Sequence, residues 1–208
     1  MLRRSFLIGF ALCAGCASHA SNAHPKSAPI DPGIIRPPSA LPYDLSWRQH
    51  VTAIWPTGRR SFDAVVQKQK GELLLVGLSP MGLPGFIIRL HESGKIDVEN
   101  HTGRELPFRP EYILADVERV LFSWLPHTSE APDREQRGRV GDLEVTERYL
   151  QNALVARTFA RAADGGKSVS IDYRGARPGA DVASQIHVNN GWFGYQLEIE
   201  TLEESRLH

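Results

Sequence analysis

The sequence predicts a mainly β (α+β) protein: a curved antiparallel half-barrel of about ten strands, with one main helix covering the concave face. Three observations lead there. Apolar residues alternate with a period of two along most of the chain, as in strands with one buried face. Connections bearing Gly, Asn, Ser and Pro cut that alternation into short lengths. A single segment, 110–124, has apolar residues at spacings of three and four instead.

The elements follow in chain order. Residues 46–55 place Val51, Ala53 and Trp55 on one face. After a turn at Pro56-Thr57-Gly58, Phe62, Ala64 and Val66 repeat the pattern. Residues 73–78 form a short apolar run, Phe86, Ile88 and Leu90 alternate again, and Ile96 and Val98 follow a Ser93-Gly94 turn. The helix is expected over 110–124, because Pro110 suits a first helical position and Ile113, Leu114, Val117, Val120, Leu121 and Trp124 form one stripe that Pro126 would end. The polar stretch 127–142 reads as a loop. Strands resume at 143–150 and 154–162, joined by Gln151-Asn152, and at 167–173. After a loop at 174–183 come a short strand with Ile186 and Val188, an Asn190-Gly191 two-residue turn and a closing strand at 193–202, with Tyr195, Leu197 and Ile199 inward. No repeat at solenoid spacing is present.

The N-terminus is organised differently. Arg3 and Arg4 precede an apolar run that ends in Ala14-Gly15-Cys16, the layout of a secretory signal. The run holds about ten apolar residues, and a bilayer span needs roughly twenty. The ending resembles a bacterial lipoprotein signal, which implies cleavage before Cys16 and acylation of its thiol. Cys13 stands where that family usually has Leu. The alternative is a plain secreted chain cut near Ser18-His19-Ala20. The expected organisation is a signal at 1–15, a lipid anchor and Pro-rich tether at 16–42, and one domain at 43–208. The prolines stiffen the tether into a spacer.

Composition excludes several classes. The 24 basic residues balance 24 acidic ones, and loss of Arg3 and Arg4 leaves 22 against 24. Nothing there favours nucleic acid, which requires a basic surface. The only cysteines are Cys13 and Cys16, so the domain has no disulfide, thiol nucleophile or Cys-based metal site. The eight histidines never share the i, i+4 spacing of a zinc-binding pair. Ser79 fails as a nucleophile elbow, because Met81 stands where that motif needs Gly and Pro80 would spoil the following helix. No cofactor motif occurs. The expectation is a protein that is not an enzyme and holds no metal or cofactor.

Residues 73–90 carry the sharper signal. A strongly apolar strand enters the Ser79-Pro80-Met81-Gly82 turn and a second apolar strand leaves it. Turn tips are usually polar because they are wet. Met81 and Leu83 are therefore either folded back into the core or offered to a membrane or a partner.

The layout of 46–125 resembles the LolA/LolB-like group of lipoprotein carriers and receptors of the Gram-negative envelope. In the receptor of that group a turn leucine protrudes, and here Met81 fills its position. The chain resembles more closely a set of bacterial lipoproteins, the domain of unknown function 3261. The motifs carrying this are Val76-Gly77-Leu78-Ser79-Pro80-Met81-Gly82, Pro110-Glu111-Tyr112-Ile113-Leu114-Ala115-Asp116, and the closing Gly194-Tyr195-Gln196-Leu197-Glu198-Ile199-Glu200-Thr201-Leu202. The resemblance implies envelope transport, with a lipid-like ligand held in an apolar cavity by area burial. The residues expected to line it are Trp55, Phe62, Phe86, Ile88, Val117, Leu121 and Trp124, each of which would serve equally as ordinary core. The implied partners are a lipid-like ligand, the membrane through the anchor and an envelope transport protein. The absence of Asp after Cys16 favours the outer membrane, facing the periplasm. An adaptor with a filled core and no ligand is the alternative.

Overall fold

The computed structural model describes residues 33, 35–106, 108–126, 131–162, 165–176 and 183–207. The signal, Cys16, most of the tether and His127 lie outside them. The first half of the domain is a meander: β1 (Asp44–Trp55), β2 (Gly58–Gln69), β3 (Glu72–Leu78), β4 (Pro84–His91) and β5 (Ile96–Asn100). The helix α1 (Pro110–Leu121) follows. A second meander completes the chain: β6 (Arg134–Val140), β7 (Leu143–Leu150), β8 (Ala153–Ala160), β9 (Ser168–Arg174), β10 (Gln185–Asn190) and β11 (Tyr195–Leu207).

All these strands join one curved, unclosed antiparallel sheet, in the order β5-β4-β3-β2-β1-β11-β10-β9-β8-β7-β6. Neighbours in the sheet are neighbours in sequence, except at the central seam where β1 pairs with β11. The two outer strands are thus β5 and β6, and the segment joining them carries α1. The connection between those edges carries α1 across one face of the sheet, where its residues 113–121 face β1, β2 and β11.

Turn chemistry fixes the registers. Lys70 and Gly71 both have positive φ, 53° and 76°, the backbone of a type I′ hairpin whose twist suits the flanking strands. Gln151 and Asn152 do the same at 51° and 64°. The expected Asn190-Gly191 turn is a four-residue connection instead, with Asn190 opposite Tyr195 and positive φ at Gly194. Gly191 runs past β9, where a Cβ would lie 2.7 Å from the Ser168 carbonyl oxygen.

Two further expectations are corrected. The stretch 127–142 contains β6, an eleventh strand that faces inward with Gln136 and Gly138 and so lacks an apolar signature. The helix ends at Leu121, because Phe122 is already extended (φ −82°, ψ 149°). Its last carbonyls are taken by side chains: Arg157 Nη1 donates to Arg119 O (2.5 Å), Tyr173 OH to Val120 O (3.0 Å) and Trp124 Nε1 to Glu118 O (3.3 Å). The Arg119 and Val120 carbonyls lie in the last turn, where helical partners run out, whereas Glu118 O also accepts from Phe122 N (2.9 Å). Arg157 is held in turn by Glu147, whose other oxygen accepts from Gln136 and Tyr149.

The core has two clusters. One contains Leu45, Trp47, Leu73, Ile88, Leu90, Leu114 and Phe122. The other contains Val145, Phe159, Val169, Ile171, Ile186 and Val188. Leu121 and Ile199 pack against both, so helix and seam strand weld the halves together.

Candidate functional site

A cavity of about 90 Å³, partly open to solvent, lies between α1 and the first half of the sheet. Ile113, Val117, Val120 and Leu121 form its roof. Its floor exists because small residues lie beneath the helix: Ala53 on β1 and Ala64 on β2 leave space that larger side chains would fill. Phe86 is fitted over Gly77, its partner on β3, where a Cβ would meet the ring at 2.1 Å. The ring packs edge-on against Phe62 (centroids 5.9 Å apart) and Phe108 (5.3 Å), giving an aromatic wall. The space is well above the roughly 10–15 Å³ that seats one water, and apolar walls of this kind favour apolar guests.

Only two wall residues are polar, Gln49 and Asp116. Asp116 is fully engaged. It accepts from Arg119 Nη1 (2.9 Å), from Asn190 Nδ2 (3.0 Å) and from the Tyr195 hydroxyl. Burial pushes its carboxyl above the ordinary range, with Arg119 pulling the other way. Burial and the adjacent Asp116 raise the Tyr195 phenol well above 10.0. Gln49 points inward from β1 at 5% exposure, and its carboxamide has no hydrogen-bond partner among the described residues.

Of the residues expected to line a cavity, Phe62, Phe86, Val117 and Leu121 meet in its wall. Ile88, Trp55 and Trp124 lie elsewhere. Ile88 is fully buried in the packed core two residues along β4. Trp55 is half-buried at the end of β1, against the Gly58 turn. Trp124 follows the end of α1, with its ring edge-on to Phe159 (4.8 Å) and the Arg36 guanidinium 4.1 Å from its centroid. The wall residues not foreseen include Gln49, Ala53, Phe108 and Asp116. Gln49 and Ala53 share the inward phase of β1, and Asp116 lies three residues from Ile113 and four from Val120, so their positions followed from periodicity.

Met81 and Leu83 stand out at 83% and 60% exposure. The turn holds them there by its own hydrogen bonds: Ser79 N to Leu83 O (2.7 Å), Gly82 N to Ser79 O (2.8 Å) and Leu83 N to Ser79 Oγ (3.2 Å). On the outer face of the sheet, His50 and His187 line a polar hollow of about 380 Å³, while His91 is apart from them, bonded to Glu72 and Asp97. Among the described residues no three His, Cys, Asp or Glu side chains converge as a metal site. No helix among them is long and apolar enough to cross a membrane.

No curated protein sequence matches the chain. Among solved structures, a Vibrio parahaemolyticus domain named for outer membrane lipoprotein sorting has a TM-score of 0.47 at 10% identity, over 79% of this chain and 85% of that one. A DUF1329 family protein from Desulfovibrio piger has a TM-score of 0.40 at 11% identity, over 79% of this chain and 85% of its own. The family described as protein of unknown function DUF3261 matches residues 46–203. That span takes in the helix, most of the seam of β1 with β11 and every residue of the cavity wall, and the chain belongs to the DUF3261 family.

Proposed function

We propose that this chain is a non-enzymatic lipid-binding or lipid-transfer module of the cell envelope. It is anchored through Cys16 to the outer membrane, faces the periplasm, and takes an acyl chain or similar apolar group between α1 and the sheet. The observation that carries this reading is the cavity: an aromatic and aliphatic hollow in the middle of the sheet–helix interface, where a protein without a ligand gains by close packing. Each apolar surface covered there contributes roughly 25 cal/mol per Å². Met81 and Leu83 support a transfer role, because an exposed apolar tip on a tied turn is suited to entering lipid or docking on a carrier.

The modest volume of the cavity favours a second reading, an adaptor lipoprotein whose core is filled and which carries no cargo. Native mass spectrometry of the protein released gently from its membrane separates the two. Co-purifying lipid that leaves when Val117 and Leu121 are enlarged to Phe supports the carrier. A ligand-free mass together with no uptake of a neutral apolar fluorophore overturns it. Radiolabelled palmitate should enter the wild type and not Cys16→Ser, and equal labelling of both would remove the anchor.

A further inference from the structure

We propose that the cavity selects an uncharged acyl derivative, an amide or ester, whose carbonyl oxygen accepts a hydrogen bond from the carboxamide of Gln49. This rests on the lipid-binding reading and names the chemical class of its ligand. Gln49 belongs to the inward row of β1, between Trp47 and Val51, where every other inward residue from 45 to 53 is apolar. It is 5% exposed and in the cavity wall, with no partner for its side-chain amide among the described residues. No bond joins it to its cross-strand neighbours: Ala64 on β2 has no polar side-chain atom, and the Thr201 hydroxyl on β11 is turned to Ala183 O (3.1 Å).

The amide is not among the sealed, unpartnered polar atoms of the described residues but faces the partly open cavity, and a guest that strips it of water without offering a partner incurs the cost of an unmade hydrogen bond. A ligand that supplies the missing partner avoids that cost on binding. The backbone marks the same place. β11 carries a bulge there, since Arg48 pairs with Glu203 and Gln49 with Thr201, leaving Leu202 as the extra residue. Bulges of this kind re-aim side chains beside functional sites.

The walls also determine the charge of the guest. They contain no Lys, Arg or His. The single ionisable wall group, Asp116, already accepts from Arg119, Asn190 and Tyr195. A carboxylate or phosphate brought inside would meet no free cation and would face an acidic side chain, a desolvation cost with nothing to offset it. An amide or ester carbonyl incurs no such cost and has the acceptor that Gln49 requires.

The test is displacement of N-phenyl-1-naphthylamine, a neutral apolar fluorophore, by decanamide and by decanoate at pH 8. The protein used is the chain from residue 17 onward, which contains every described residue. The wild type should take decanamide at least tenfold more tightly than decanoate. In Gln49→Leu the ratio of decanamide affinity to fluorophore affinity should fall about five- to tenfold, the worth of one neutral hydrogen bond. Gln49→Met is the second variant, and near-ultraviolet circular dichroism confirms that each is folded. Equal affinity for decanamide and decanoate, or an unchanged ratio in both variants, overturns the assignment to Gln49 while lipid binding stands. A wild type that binds neither the fluorophore nor decanamide overturns both.

Discussion

Replacing Arg157 with Met removes the donor that ties the end of α1 to the second meander. The side chains of Arg157 and Glu147 are 4% and 1% exposed, and Nε and Nη2 both reach Glu147 Oε1, at 2.8 and 2.7 Å. After the substitution Glu147 stays buried with only Gln136 (3.0 Å) and Tyr149 (2.9 Å) as donors. An uncompensated buried charge of this kind costs about 3–5 kcal/mol. Loss of the bond to Arg119 O adds roughly 1 kcal/mol. Urea unfolding followed by tryptophan fluorescence should therefore show Arg157→Met destabilised by about 4–6 kcal/mol, a large part of the total for a domain of this size. The companion double variant, Glu147→Met with Arg157→Met, removes both charges and should recover more than half of that loss. A single variant costing less than about 1 kcal/mol, or a double variant worse than the single, would refute the view that this ion pair is a closed, desolvated unit.

Other predictions follow from the same geometry. Gly77→Ala drives a methyl into the Phe86 ring and should cost about 1–3 kcal/mol in thermal or urea unfolding, with weaker uptake of N-phenyl-1-naphthylamine as the ring tilts into the cavity. Met81→Glu acts on a side chain 83% exposed, so the unfolding free energy should stay within about 0.5 kcal/mol while association with phospholipid vesicles drops. A stability loss of several kcal/mol there would place Met81 in the core instead. Asp116 has a raised pKa, so the folded protein takes up its proton before the unfolded chain does. The stability linked to that proton is fully present below 3.8 and is lost as pH rises through the raised value. Wild type should thus gain stability relative to Asp116→Asn as pH falls from 7 towards 4, and the opposite slope in unfolding experiments would show the shift to be downward.

The sheet was readable because period-two alternation survives wherever one face is buried, as in β1 to β4 and β7 to β11. β6 was not, because its sequence Arg-Glu-Gln-Arg-Gly-Arg-Val places a glutamine and a glycine inward at an edge, where packing asks for little apolar area. The helix was placed correctly at its start by Pro110 and incorrectly at its end. Trp124 continues the apolar stripe in sequence, yet the backbone is already extended at Phe122, which is buried completely, and Trp124 packs against Phe159 from outside the helix. The cavity was half-legible. Large apolar residues such as Phe62 and Phe86 announce themselves, whereas a hollow depends on what is small, and Ala53, Ala64 and Gly77 are silent in a search for bulk. Gln49 and Asp116 lie on apolar phases, and their polarity there was the signal of a site.

The seam between β1 and β11 has a consequence for how the protein comes into being. Leu207 must find Asp44, 163 positions earlier in the chain, while nearly every other strand pairs with its successor. As the chain emerges N-terminus first during synthesis, the first meander can form early, yet β1 then waits with an open edge until the last strand appears. An open apolar-faced edge is a template for pairing with another copy. The interval is when this protein is most exposed to misassembly, and when a holding chaperone would act on it. Chains that stop after Asn190 should remain in that condition permanently and form higher oligomers by light scattering, whereas adding the missing strand as a separate peptide should return them to single particles.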